Sequence, residues 1–172
     1  WRKPVLAPTR GRVSAVVNDL PDNPISQSDK ANNWGNYVVI YDERGFYVDV
    51  SHLAQGSIKV KPGDWVEPTT ILGLCGNSGY SLQPHLHIHV QVHERVGSAT
   101  LPFSFVAYLQ SNRYHANAIP EKNDQVEPAP VVDPHLDAAT DFVLGDEITY
   151  DVYDNGTKVD TVTWRVIMAL DG

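Results

Sequence analysis

Cysteine is almost missing from this chain: there is one, Cys75, in 172 residues. A lone thiol excludes an intrachain disulfide framework and leaves the compartment open. No apolar run approaches the roughly 20 residues of a membrane-spanning helix, so no such span is expected. A basic excess is lacking too. Lys and Arg total 13 against 21 Asp and Glu, and the formal net charge is −8. Phosphate binding needs a positive face, so nucleic acid is not expected as the main partner. The opening Trp1-Arg2-Lys3-Pro4 has no initiator methionine, and no basic start leads into an apolar run. The chain therefore reads as an interior piece of a longer protein.

What is present points to β structure. Alternating runs lie at 12–17, 37–41 and 46–50, and shorter ones at 57–60, 71–74 and 85–92. Between them stand turn signals: two prolines within 18–24, Glu43-Arg44-Gly45, Lys61-Pro62-Gly63-Asp64 and Gly76-Asn77-Ser78-Gly79. Short strands so punctuated predict an all-β, antiparallel sandwich or barrel-like domain. Residues 102–109 are read as a short helix. The charge is uneven. Residues 1–120 carry 10 Lys and Arg against 9 Asp and Glu, whereas 121–172 carry 3 against 12. The acidic third reads first as a solubilising face. The expected organisation is a domain over 1–112, a Pro-rich acidic linker over 113–137 and a small β extension over 138–172. In that extension Asp154-Asn155-Gly156 separates two alternating runs, a hairpin signal.

Four of the seven histidines fall within Pro84-His85-Leu86-His87-Ile88-His89-Val90-Gln91-Val92-His93. Side chains alternate faces along a strand. His85, His87, His89, Gln91 and His93 would share one face, and Leu86, Ile88, Val90 and Val92 an apolar one. Imidazole is both a common zinc ligand and the acid or base best matched to neutral pH. A row of imidazoles can therefore converge on a metal, or one can ligate while its neighbour handles a proton. The bland alternative is a polar sheet face that happens to be histidine-rich. His52, in Tyr47-Val48-Asp49-Val50-Ser51-His52-Leu53, follows a strand and precedes a turn, a position that can present an imidazole at a sheet edge.

Taken in order, these segments resemble the lysostaphin-type zinc metallopeptidases that cut peptide cross-links in bacterial cell walls. Pro4 to Val13 resembles the family's "V-x-A-P-x-x-G-x-V" strand pair. Gly35-Asn36-Tyr37-Val38-Val39-Ile40 resembles "G-N-x-V-x-I". Ser51-His52-Leu53 resembles "Y-x-H-L", with Val50 in place of the tyrosine. Val60 to Val66 resembles "V-x-x-G-D-x-V". Gly76-Asn77-Ser78-Gly79 followed by Pro84-His85-Leu86-His87 resembles the closing "G-x-[ST]-G…H-L-H" signature. The resemblance covers about residues 4–93.

The resemblance implies a zinc cofactor held by two histidines and one aspartate, with peptidoglycan peptides as substrate. It implies a bacterial envelope or secreted location. On the matching positions His87 would be a zinc ligand, His85 the general base and His52 the group that stabilises the oxyanion. His89 and His93 lie outside the shared signature and receive no role. The family's other two ligands come from a motif before the "V-x-A-P" strand, so this chain is expected to supply one of three and to begin after that motif. A catalytically degenerate relative, acting as a wall-binding or regulatory module, is the second reading. A third is a phosphocarrier or lipoyl-type domain on similar hairpins. Lys61-Pro62-Gly63 does not match the modified-lysine turn of a lipoyl domain, and a phosphocarrier does not predict His-Leu-His after Gly-Asn-Ser-Gly. Tyr80, Trp34 and Tyr41 are candidates for lining a substrate groove. Cys75 reads as a small apolar side chain ending a strand.

Overall fold

The computed structural model of the protein describes residues 1–129 and 147–165. The chain divides into two compact units, Trp1–Phe103 and Ser104–Gly172. No helix occurs among the described residues.

The first unit contains β1 Pro4–Leu6, β2 Gly11–Val17, β3 Asn36–Asp42, β4 Tyr47–Leu53, β5 Trp65–Val66, β6 Ile71–Leu74, β7 His87–Gln91 and β8 Thr100–Leu101. Six of these form an antiparallel sheet in the order β5-β2-β3-β4-β7-β8, and β1 pairs with β6. Alternation in β3 and β4 sends Val38, Ile40 and Val50 into one cluster with Val5, Ala7, Val13, Leu53, Ile58, Val66 and Leu72. Because Val5 comes from β1 and Leu72 from β6, the small sheet closes the core over one face of the large one. Each such side chain stabilises the fold by about 1.5–3 kcal/mol relative to exposure. Cys75 packs against this cluster as an apolar side chain.

The other face of the large sheet carries polar groups. In the β4–β7 ladder Tyr47 lies opposite Gln91, Asp49 opposite His89, and Ser51 opposite His87. Direct cross-strand partners share a face, so Asp49 and Ser51 join the histidines.

Two loops cross at the end of β4. Gly35 and Gly79 both have left-handed φ, +63° and +77°. A Cβ on Gly79 would overlap the Gly35 backbone nitrogen, and one on Gly35 would strike Ser78. Only glycine allows this approach. Buried Asn36 fastens the next loop: its Oδ1 accepts from Leu20 N at 2.9 Å, and its Nδ2 donates to the carbonyls of Leu20 and Leu53 at 2.8 and 3.1 Å.

Three expectations for the first unit change. Residues 57–60 form no strand. Lys59 N reaches Leu72 O, but Leu74 N bonds the Ser57 hydroxyl in place of a main-chain acceptor. The strand expected over 85–92 is shorter, because β7 starts at His87. Leu86, ahead of it, is 37% exposed instead of facing the core.

The second unit holds β9 Phe105–Gln110, β10 Arg113–Ala118 and β11 Val126–Pro128 in the order β10-β9-β11, and a separate hairpin of β12 Glu147–Asp154 and β13 Thr157–Arg165. The helix read over 102–109 is therefore a strand, paired on both sides. Its Phe105, Val106 and Tyr108 suit a pleated surface better than a helix. The unit boundary falls at Phe103/Ser104 instead of 112, and the stretch read as linker contributes two strands. Ser111 and Asn112, with φ of 48° and 61°, make the two-residue left-handed turn that lets β10 fold back on β9. Pro120 and Pro128 fall after β10 and at the end of β11, where they interrupt no ladder. The expected hairpin at Asn155-Gly156 forms, with φ of 46° and 80°. The rest of the proposed linker and extension, 130–146, and the end of the second run, 166–169, lie outside the described residues.

Candidate metal and catalytic site

Four imidazoles gather where β4 and β7 meet. The ring centroids of His52 and His85 are 4.7 Å apart, those of His52 and His87 6.0 Å, and those of His87 and His89 5.2 Å. Trp34 lies against two of them, 5.4 Å from His87 and 5.0 Å from His89.

His52 reaches the cluster through its backbone. Alternation from Ser51 would turn it to the core face. Its φ of +64° breaks the alternation, a conformation uncommon outside glycine. Neighbouring main chain holds it there: His52 N donates to Trp34 O at 3.2 Å, and Gly76 N donates to His52 O at 3.0 Å. Its Nδ1 lies 2.8 Å from Ser78 O. A carbonyl only accepts, so Nδ1 carries the proton and, in the neutral ring, Nε2 is left as a bare acceptor. Burial lowers the pKa of His52, and His85 nearby lowers it further, against the Ser78 carbonyl. The neutral ring is thus a proton acceptor, and His52 donates toward an oxyanion only as imidazolium.

His85 stands before β7 and is exposed. Its Nδ1 lies 2.9 Å from Gln83 O and 3.0 Å from Ser81 Oγ. The Gln83 carbonyl again places the proton on Nδ1, so Nε2 of neutral His85 is an acceptor. Tyr80, Leu82, Gln83 and His85 line a groove of about 440 Å³.

Behind these, His87 Nε2 lies 3.0 Å from His89 Nδ1, and His89 Nε2 lies 2.8 Å from Gln91 Oε1. Burial lowers the pKa of His87 to about 4, and His89, His52 and His85 lower it in turn. Asp49 is fully buried opposite His89. One of its oxygens, Oδ2, accepts from Ser51 Oγ at 2.5 Å and stands 3.6 Å from His89 Nδ1. The other, Oδ1, has no hydrogen-bond partner. Desolvation raises the Asp49 pKa to about 6, opposed by the Ser51 bond and by His89. Ligand atoms of Asp49, His87 and His89 all lie within 4.8 Å of one another. A buried carboxylate with one oxygen unpartnered, beside imidazole nitrogens, suits a divalent cation.

The sequence-derived residues are placed as follows. His52, His85 and His87 come together. Tyr80 lines the groove beside His85, with Lys30 Nζ 5.8 Å from its ring centre. Trp34 covers the inner histidine pair. Tyr41 packs on Tyr47, ring centres 4.9 Å apart, and among the described residues makes no ring contact with the imidazoles. Asp49 and His89 received no role from the sequence. His89 was visible as a member of the histidine face, whereas Asp49 became visible only with the β4–β7 register. Asp22, in the proline-containing loop, accepts from Asn77 N at 2.7 Å and so serves the turn.

An uncharacterized metalloprotease of Buchnera aphidicola subsp. Baizongia pistaciae (strain Bp) is 42% identical over 84 residues, covering 49% of this chain and 22% of that protein. Endolysin 2638A of Staphylococcus phage 2638A is 28% identical over 116 residues, covering 65% of this chain and 24% of the endolysin. The matches thus span under a quarter of these relatives' length. Among solved structures, the catalytic domain of the antimicrobial peptidase lysostaphin from Staphylococcus simulans is similar with a TM-score of 0.44 at 25% identity, covering 58% of this chain and 66% of that one. A mutant catalytic domain of the prophage-encoded M23 protein EnpA from Enterococcus faecalis gives a TM-score of 0.45 at 24% identity, with the same coverage. The sequence model of Peptidase family M23 matches residues 2–98, more than half of the chain, and the chain belongs to that family.

Proposed function

We propose that this chain is the peptidase portion of a zinc-dependent endopeptidase that hydrolyses peptide bonds in bacterial cell-wall peptidoglycan, in the envelope or outside the cell. The observation that carries the reading is the convergence of His52, His85 and His87 beside an open groove in a member of Peptidase family M23. A relative that is an endolysin supports a wall substrate, and one that is a metalloprotease supports a metal.

His87 would contribute an imidazole to the ion. Zinc, when bound, supplies Lewis acidity that polarises a scissile carbonyl and brings water ionisation toward neutral pH. The chain's own residues handle the proton and the substrate. Neutral His85 offers Nε2 to take the proton of the attacking water, held in that tautomer by Gln83 O. His52 offers a second Nε2 beside it, and in its protonated form donates to the oxyanion. Burial favours neutral His52, so it donates to the oxyanion only after taking up a proton. Tyr80, Leu82 and Gln83 present both apolar and polar surface to a peptide.

The test is hydrolysis of purified cross-linked peptidoglycan by the zinc-supplied chain, read as new free amino groups. Release that stops on chelation and in His85→Ala supports the reading. Intact cross-links under all conditions, with wall binding retained, would replace it with the non-catalytic wall-binding reading.

A further inference from the structure

The loops at 23–34 and 77–83 are laced together ahead of His85. Asn23 N donates to Asn77 O at 3.0 Å, Ser26 N to Leu82 O at 2.8 Å, Asp29 N to Gly79 O at 2.9 Å, and Tyr80 N to Asn33 O at 2.8 Å. The Asn23 side chain adds a bond from Nδ2 to Gly79 O at 2.6 Å. Asp29 commits its carboxylate to the turn that follows it. Its Oδ1 accepts from Ala31 N and Asn32 N at 2.9 and 3.2 Å, and its Oδ2 from Asn32 Nδ2 at 2.7 Å. The backbone of Lys30 lies between these anchors, so its place relative to Tyr80 is fixed by both loops.

The Lys30 ammonium stands 5.8 Å from the centre of the Tyr80 ring, within the range at which a ring face attracts a cation. Tyr80 is half-exposed and lines one groove with Leu82, Gln83 and His85. None of these four side chains is acidic. Lys30 is itself exposed, and among the described residues no carboxylate makes an ion pair with it. The aromatic surface on which a peptide would pack beside His85 is thus flanked by a positive charge that nothing neutralises. A carboxylate entering there meets an ammonium already shielded from water on its ring side. A cationic side chain meets repulsion.

We propose that Lys30 is a specificity-determining residue: with Tyr80 it forms a subsite for a carboxylate of the peptide held beside His85, so that acidic peptides are taken in preference to neutral ones. The inference rests on the peptidase reading and deepens it by naming the chemical class of its substrate.

The probes are a blocked tetrapeptide carrying one glutamate and its twin carrying glutamine in the same place. Each is titrated into the whole chain, stripped of metal so that neither peptide is cut, and followed through the NMR signals of the Tyr80 ring and the Leu82 methyls. The glutamate peptide should bind about 3–5-fold more tightly, the upper range for an exposed ion pair. The gap should close as salt is added. Lys30→Gln should erase the preference, Lys30→Glu should reverse it, and Lys30→Arg should keep it. Thermal unfolding checks that each variant retains the parent's stability, as an exposed position predicts. Equal affinities in the unaltered chain, a preference that survives in Lys30→Gln, or no shift at Tyr80 with either peptide overturns the proposal. Peptidoglycan hydrolysis is a separate readout. Hydrolysis without a glutamate preference sinks only this subsite, and a Lys30-dependent preference without hydrolysis sinks only the peptidase reading.

Discussion

Replacing Asp49 by Asn should stabilise the metal-free protein near neutral pH, although the residue is fully buried. In the folded chain the carboxyl ionises at about 6 instead of its ordinary 3.8, chiefly because burial strips its solvation. The folded state therefore holds this proton more tightly than the unfolded state. Its contribution to stability is present below about 3.8, declines through the interval, and is gone above about 6. At about 1.4 kcal/mol per pKa unit, the ionised carboxylate costs the fold about 3 kcal/mol above that range. Asparagine with its oxygen at the Oδ2 position keeps the acceptor for Ser51 and puts its amide N–H groups where Oδ1 stood without a partner. A gain of about 1–3 kcal/mol is expected near pH 8, the lower end reflecting any amide hydrogen left unpaired. Urea unfolding in chelator, from about pH 4 to about pH 8, measures it. The midpoint should rise by about 1 M at the top of the range, for a slope of about 1–3 kcal/mol/M. The advantage should shrink toward the acid end. His87 works in the opposite sense. Its pKa falls from 6.5 to about 4, so its contribution is present above 6.5 and lost as pH falls through about 4. Asp49→Asn should expose that slope, with stability rising with pH between about 4 and 6.5. A variant less stable than the parent near pH 8, or a difference constant with pH, refutes the reasoning.

Other expectations follow from the same contacts. His85→Ala and His52→Ala should each lower peptidoglycan hydrolysis by about 10²–10⁴-fold, the usual weight of a proton-transfer group, read from initial rates at equal metal occupancy. Gly79→Ala should cost more than about 2 kcal/mol, since it adds a backbone overlap with Gly35 to an unfavourable left-handed φ; a loss under about 1 kcal/mol in urea unfolding would contradict the close crossing of the loops. Asn36→Ala removes the side-chain partners of the half-buried Leu20 main chain and one of two donors to the Leu53 carbonyl, which keeps Ser78 Oγ. A loss of about 2–4 kcal/mol is expected, together with faster amide exchange at Leu20.

The strands of the first unit were legible wherever period-two alternation met glycine or proline punctuation, as in β2, β3, β4 and β6. The same alternation correctly put His87, His89 and Gln91 on one face. It failed where the chain leaves strand geometry. Leu86 precedes the first paired residue of β7, and the left-handed His52 turns against the pattern of its own strand. Asp49 was illegible for another reason. A single acidic residue in an apolar run says nothing until the register sets it opposite His89, and that register is fixed by pairings about 40 residues apart in the chain. The strand at Phe105–Gln110 was mistaken for a helix because a short apolar run has no decisive period.

The left-handed backbone at His52 sets stability against function at a single position. An L-residue with a Cβ loses about 1–2 kcal/mol there relative to glycine, and only a change of ring orientation is obtained in return. Selection for foldedness alone would settle on glycine or asparagine. His52→Gly should therefore melt higher than His52→Ala while sharing its catalytic loss. In a library screened first for stability and then for hydrolysis, the two screens should pull residue 52 apart, and that divergence would mark the position as functional without any knowledge of the reaction.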